Sequence, residues 1–352
     1  MDKTTYPWRG LFVGAGLCAA LAAIEPHVKM RLHTNGLCTD YINAGAVLFL
    51  FLLALALGPL RALTGRKWLD VPDLAVVFAM LAVACTIPSH GLLAPLLTLV
   101  TGASYYATPH NHFEEWILQR LPDWLLVRGE AARFFYEKLP PSEPFPVSAW
   151  IQPAIAWTIL IAAVFLAQIS LAALFYEPWA RHERLAFPLV RLPAEMVRSA
   201  EDRGSRRPGH LLRDPIFWAG VALTFFIAGS RGLAFYHPET PTLPKISSWL
   251  AFFNGTTRIL VTFSFVIVGF SYLLNTRVLL SIWFFHLLMK VVSGALILHG
   301  VALEGENEPW GGSTLLATHL NGGSMIALVL FGVWTAREHL ARVLRDAWRG
   351  GH

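Results

Sequence analysis

Runs of apolar residues long enough to cross a bilayer recur along the whole chain. A spanning helix needs about 20 mostly apolar residues at roughly 1.5 Å rise each. Eight stretches meet that requirement, near residues 10–28, 42–63, 73–99, 149–176, 215–235, 257–275, 278–299 and 313–335. The third is interrupted by Pro88 and Pro95, and the eighth opens on a segment rich in Gly and Thr. In hydrocarbon every backbone polar group must be paired internally, so the pattern predicts helices. The expected fold is an all-α polytopic membrane helix bundle of about eight transmembrane helices. It forms a single integral membrane domain over residues 1–352, because no soluble domain and no periodic repeat interrupts the series. The first run follows Lys3 and Arg9 as a signal peptide would, but it stays apolar through Ile24 and reads as a retained helix.

Composition narrows the class. Hydrophobic residues make up 55% of the 352 and charged residues only 14%, against about 25% charged in soluble domains. That excludes a disordered chain, a collagen-like fibre and a disulfide-stapled secreted domain. The net charge of +5 would suit an anionic partner. In a membrane protein, however, basic residues collect in cytoplasmic loops for topological reasons. No basic patch is interleaved with aromatics on a soluble domain, so no nucleic acid is expected as a partner.

The distribution of that charge sets the orientation. With the N-terminus inside, the cytoplasmic segments hold eighteen Lys and Arg residues and the opposite side seven. Both termini are then cytoplasmic, and the expected location is the cell inner membrane, crossed several times. Two loops are long. The outer loop, 101–148, carries Trp116, Trp124, Phe134, Phe135 and Tyr136 among charges, and its segment from Phe113 to Leu126 is expected to lie along the interface as an amphipathic helix. The inner loop, 177–213, is basic, and a further basic helix is expected over 336–350.

Few residues carry chemistry. Lys290 falls in the middle of the seventh span, where a cation costs about 3 kcal/mol on insertion scales, and His286 lies one turn earlier on the same face. Together they form a polar stripe that requires a cavity, a carboxylate or a carbonyl. In the third span Thr86-Ile87-Pro88-Ser89-His90-Gly91 contains a proline that removes one helix hydrogen bond. A helix broken at that depth lines protein or a cavity and would present Ser89 and His90 to a pathway. The competing reading is a proline kink whose freed carbonyl is capped by Thr86 or Ser89. Glu25, at the end of the first span before Pro26, is a candidate partner for Lys290, although its position favours a hydrated interface.

Metal and cofactor chemistry finds no motif. His110, His112 and Glu114 alternate as ligands would on a strand, whereas HExxH and HxxEH, which place ligands on one helical face, are absent. Cys18, Cys38 and Cys85 form no CxxC pair. No GxSxG, Walker loop or GxGxxG occurs. No metal, no cofactor and no enzymatic activity are expected.

Several stretches are familiar as a set: Tyr6-Pro7-Trp8-Arg9-Gly10, Gly102-Ala103-Ser104-Tyr105-Tyr106-Ala107-Thr108-Pro109, Gly269-Phe270-Ser271-Tyr272-Leu273-Leu274 and Ser281-Ile282-Trp283-Phe284-Phe285. With Glu183-Arg184-Leu185-Ala186-Phe187-Pro188-Leu189 they resemble a bacterial family of uncharacterised polytopic membrane proteins. That family is distantly similar to the oligopeptide transporter superfamily, whose members carry a comparable Glu-x-Leu-x-Phe-Pro stretch after a membrane helix. Here Val190-Arg191-Leu192-Pro193 follows instead of a run of small residues, so no transport residue is carried over. The broken third span and the Lys290–His286 stripe, with this resemblance, lead to the expectation of secondary transport of a small solute, peptide-like or chelated. The pathway is read from the residues themselves: Lys290, His286, Ser89, His90 and Glu25. The alternative is a non-transporting subunit or anchor that docks a partner through its outer aromatic loop. The expected partners are the lipid bilayer, a small-molecule solute and a second copy or another membrane protein.

Overall fold

The computed structural model describes residues 6–31, 37–38, 43–88, 91–182, 187–201, 212, 214–242, 246–255, 257–301 and 315–349. The chain is mostly helical, and five of its helices are long and apolar enough to cross a membrane: Trp8–Arg31, Ala44–Thr64, Val147–Ala180, Pro215–Tyr236 and Thr276–Leu298. A sixth candidate is Thr318–Thr335 with Arg337–Trp348, a pair bent by 67°. Of the apolar windows in the third and fourth of the five, none is buried inside the protein. Apolar surface of that extent is untenable in water and suits a lipid surround. The chain divides into two compact units, Met1–Ile169 with Leu192–Phe217 and Ser170–Arg191 with Trp218–His352.

The first unit is organised around helices α1 (Trp8–Pro26), α2 (Ala44–Thr64) and α3 (Val71–Ala84). Gly10 lies against Asp73, and Gly14 against Val77 and Met80, so α1 and α3 run parallel. Spacing small residues four apart lets two helices approach closely in a membrane. At Gly10 the approach is extreme, because a Cβ there would stand 2.6 Å from the Asp73 carbonyl oxygen. Helix α2 runs the other way. Its Ala46 shares a buried cluster with Leu21, Val77, Leu81 and Cys85, and its Leu50 packs on Leu74.

Asp73 closes one end of this trio. It is 6% exposed, and its Oδ1 accepts the Gly10 N–H at 2.9 Å while Oδ2 accepts the Asp70 N–H at 3.1 Å. Both donors belong to the first turns of helices, where N–H groups lack intrahelical partners and the helix dipole is positive. One carboxylate thereby serves two helix starts. The amphipathic α7 (Pro188–Glu201) adds Met196 and Val197 to the cluster around Leu50 and Leu74.

The third expected span, 73–99, is not one helix. Helix α3 ends at Ala84, and α4 (Leu93–Tyr105) begins only after a non-helical turn. Pro88 has no N–H to continue the ladder. The Ile87 N–H turns back to Ala84 at 3.2 Å, and the Thr86 hydroxyl donates to Val83 at 2.7 Å. Ser89 and His90 lie outside the described residues.

The outer loop also departs from expectation. Phe113–Leu126 is not a continuous helix but a π-helical turn, Glu114–Leu118, and a 3-10 turn, Asp123–Leu125, separated at Pro122. The helix of this loop is the short α5 (Glu130–Glu137). Arg128 holds the irregular stretch by donating to Leu118 O at 2.7 Å and pairing with Asp123 at 2.9 Å. Val100, Val127, Ala131 and Ala132 pack with Trp150 and Trp157 of α6 (Val147–Glu177), and the Trp157 indole donates to Leu125 O at 2.9 Å.

In the second unit α8 (Pro215–Tyr236) leads to a hairpin where helix was expected. Strands β1 (Ser247–Phe252) and β2 (Thr257–Thr262) pair antiparallel, Ser247 opposite Thr262 and Phe252 opposite Thr257. The expected span 257–275 is therefore β2 followed by α9 (Phe265–Leu273), whose 9 residues rise about 14 Å, half a bilayer core. A short apolar run cannot by its period distinguish strand from helix, and Ile259, Val261, Thr257 and Thr262 are β-branched. Asn275 then starts α10 (Thr276–Leu298), its side chain accepting the Arg277 N–H at 3.0 Å. The hairpin tip reaches α10, where Phe253 covers Gly294 so closely that a Cβ would overlap its ring.

Helix α11 (Leu315–Thr335) is followed by α12 (Arg337–Trp348), close to the basic helix expected over 336–350. The Arg337 guanidinium sits 4.7 Å from the Trp334 ring centre and donates to the Trp334 carbonyl at 2.9 Å, supporting the bend. His339 ties α12 to the end of α6, its Nε2 3.1 Å from Leu174 O.

Two substitutions test the Asp73 clasp. Asp73→Asn turns an amide N–H toward one of the two donors and should cost about 1–3 kcal/mol. Gly10→Ala forces α1 off α3 at a cost of about 1–3 kcal/mol. Both should lower the midpoint of thermal unfolding in detergent, whereas Gly16→Ala, with open space around its Cβ, should leave it unchanged.

Candidate functional site

At the end of the first unit opposite Asp73, α1 finishes in a buried acid. Glu25 is 1% exposed rather than hydrated at an interface as expected. Its Oε2 accepts the N–H of Leu37 at 2.7 Å and of Cys38 at 3.2 Å. Pro26 and the π-helical turn His27–Arg31 end α1, and the carboxylate folds the returning backbone onto it. Glu25 Oε1 is buried with no hydrogen-bond partner among the described residues. The Leu37 carbonyl in turn accepts the Gly45 N–H at 2.8 Å, at the start of α2.

Two thiols complete this end. Cys38 and Cys85 are both buried, in one cluster with Leu21 and Ala46. Cys85 caps the end of α3, where the helix break begins. Hydrogen bonding with Cys85, reinforced by burial and by the Glu25 carboxylate, pushes the Cys38 thiol above its ordinary range. The Cys38 thiol is therefore neutral at physiological pH. Sequence reasoning did not single out this pair. The sequence places Cys38 in a loop and Cys85 inside the expected third span, which gives no sign that they meet.

The other expected site residues lie in the second unit. His286 is exposed and Lys290 half-buried, one turn apart on α10. Among the described residues neither forms a hydrogen bond or an ion pair. Glu25 and the α10 stripe thus belong to different units, and the geometry of the first unit gives Glu25 backbone donors as its partners. Ser89 and His90 lie outside the described residues.

The outer loop carries a second concentration of polar and aromatic groups. Tyr105 stacks on Tyr136 at 4.2 Å and its hydroxyl donates to Glu137 at 3.3 Å. Ser104, Gly129, Glu130 and Arg133 border a shallow depression beside them, and Arg133 pairs with Glu130 at 3.0 Å and Glu137 at 3.4 Å. His112, at φ 52°, stands 3.5 Å from Glu115 and stacks on Trp116. Among the described residues no group of three His, Cys, Asp or Glu side chains is arranged to hold a metal.

One family profile matches residues 2–352. The chain belongs to a family of unknown function, DUF6785. No curated protein and no solved structure matches it. Of the stretch 183–189, residues 183–186 lie outside the described residues, and Phe187-Pro188-Leu189 opens α7 of this DUF6785 chain.

The carboxylate at the end of α1 makes a direct prediction. In the reduced protein Cys38 resists maleimide because Glu25 holds its backbone in place. Glu25→Ala leaves two buried N–H groups unpaired, and each such loss costs about 1–3 kcal/mol. Alkylation of Cys38 under native conditions should therefore accelerate by roughly tenfold or more, measured by mass spectrometry of quenched time points.

Proposed function

We propose that this protein is a secondary-transport-type membrane protein that moves a small solute. The observation that carries the reading is the interrupted third apolar run. Helices α3 and α4 have 14 and 13 residues, so each rises about 20 Å, short of the roughly 30 Å hydrocarbon core. The described backbone between them, 85–88 and 91–92, is non-helical, and at membrane depth such backbone is tolerated where it is enclosed by protein or lines a water-filled cavity. Transporters place solute and ion sites at breaks of this kind.

The finer reading adds roles and orientation. The solute class is peptide-like or chelated, as the resemblance implies. Lys290 and His286 supply a cation and an imidazole, suited to solute binding or proton coupling. Ser89, His90 and Glu25 border the pathway at the break and at the end of α1. Both termini face the cytoplasm in the inner membrane, with about eight crossings when α3–α4 and the hairpin–α9 segment each count as one. The protein is not an enzyme and uses no cofactor.

Reconstituted vesicles test this. With an imposed pH gradient, wild-type protein should accumulate at least one member of a panel of short peptides and metal chelates, and Lys290→Met should lower uptake at least tenfold. Equal uptake by wild type and Lys290→Met removes Lys290 from the mechanism. No uptake of any panel member, with a stoichiometric partner retained in detergent, supports the anchor reading. That reading draws on the exposed rings of Trp116, Trp124 and Phe145 in the outer loop.

A further inference from the structure

We propose that Cys38 and Cys85 are a dithiol pair that closes to a disulfide, fastening the backbone between α1 and α2 to the end of α3. The two side chains belong to one small buried cluster with Leu21, Ala46, Val77 and Leu81, and each thiol perturbs the other. Bond formation asks for side-chain rotation and small backbone shifts. Both residues sit at element ends rather than inside helices: Cys38 follows the turn of α1, and Cys85 is the capping residue of α3. The third thiol, Cys18, lies within α1 against the same cluster and serves as an internal control.

Glu25 makes the pair more than a chance approach. Through Oε2 it fixes the Cys38 backbone, and its Oε1 is buried with no hydrogen-bond partner among the described residues. Local opening of the Leu37–Cys38 backbone, which rests on those two hydrogen bonds, brings the Cys38 sulfur to solvent. The oxidant is an external disulfide. The Cys38 thiolate attacks one of its sulfurs and releases one thiol, leaving a mixed disulfide. The Cys85 thiolate then attacks the Cys38 sulfur and releases the second thiol. Two protein thiols are oxidised, one external disulfide is reduced to two thiols, and the two protons leave with them. The orientation proposed above places this end outside, where disulfides persist. That orientation enters only as the source of the oxidant, and the purified protein reports on the bond without it. Once formed, the bond pins the first residue of the α3–α4 break.

The measurement uses the full-length wild-type protein in detergent. It is reduced, freed of reductant, incubated with glutathione disulfide, then denatured and alkylated with a maleimide for intact-mass and peptide analysis. Alkylated thiols should fall from three to one per chain, with a Cys38–Cys85 cross-linked peptide, and return to three after phosphine reduction. Cys85→Ser should form no intramolecular bond. Three alkylated thiols after oxidation, a stable glutathione adduct at Cys38 in wild type, or a bond to Cys18 overturns the proposal. None of these outcomes depends on whether the protein transports a solute.

Discussion

A single buried carboxylate, Asp73, organises the first unit. An ionised acid removed from water is costly unless its lone pairs are filled. Asp73 fills them with N–H groups that would themselves lack partners, one from the opening turn of α1 and one from the residue preceding α3. The positive ends of two helix dipoles converge on the same group. Because Gly10 has no side chain, the α1 backbone comes close enough for this sharing. Parallel packing of α1 on α3 follows, and α2 lies antiparallel against both. Glu25 repeats the device at the far end, where a carboxylate again holds backbone N–H groups in place of a cation.

The two acids divide the labour differently. Asp73 has both oxygens occupied and serves packing alone. Glu25 has one oxygen without a hydrogen-bond partner among the described residues, in the neighbourhood of two thiols and of the α3–α4 break. Unfilled polar capacity in a dry site is a common mark of function, since packing alone would select against it. The end of the first unit where α1 and α3 stop gathers Glu25, Cys38 and Cys85, with the His286–Lys290 stripe a separate feature carried by α10 of the second unit.

Much of the helical plan was legible in the sequence because long apolar runs have one solution in lipid. The runs at 42–63, 149–176, 215–235 and 278–299 correspond to α2, α6, α8 and α10 within a few residues. The break after Ala84 was legible in Pro88. The hairpin was not, because β2 and α9 read together as one apolar stretch. Its signal was Asn254-Gly255 beside β-branched residues, a pairing typical of hairpin turns. Asp73 was missed because it is the first residue of the expected span 73–99, where a carboxylate gives no sign of the second helix start it serves. The spacing of three between Asp70 and Asp73 ahead of an apolar run is a helix-start pattern, and Gly10 with Gly14 supplied the complementary surface. Glu25 was placed at a wet interface because sequence gives depth along a helix but not what folds back over its end.

The parallel arrangement of α1 and α3 also bears on how the chain is assembled. Residues emerge in order, so the opening turn of α1 exists before its acceptor has been synthesised. For the sixty-odd residues between them, α1 must reside in the membrane, or beside the insertion machinery, without its permanent neighbour. Helix α2 has to turn back across the bilayer before α3 can be delivered alongside. The first three helices thus become a settled unit late, in one step, when the aspartate arrives.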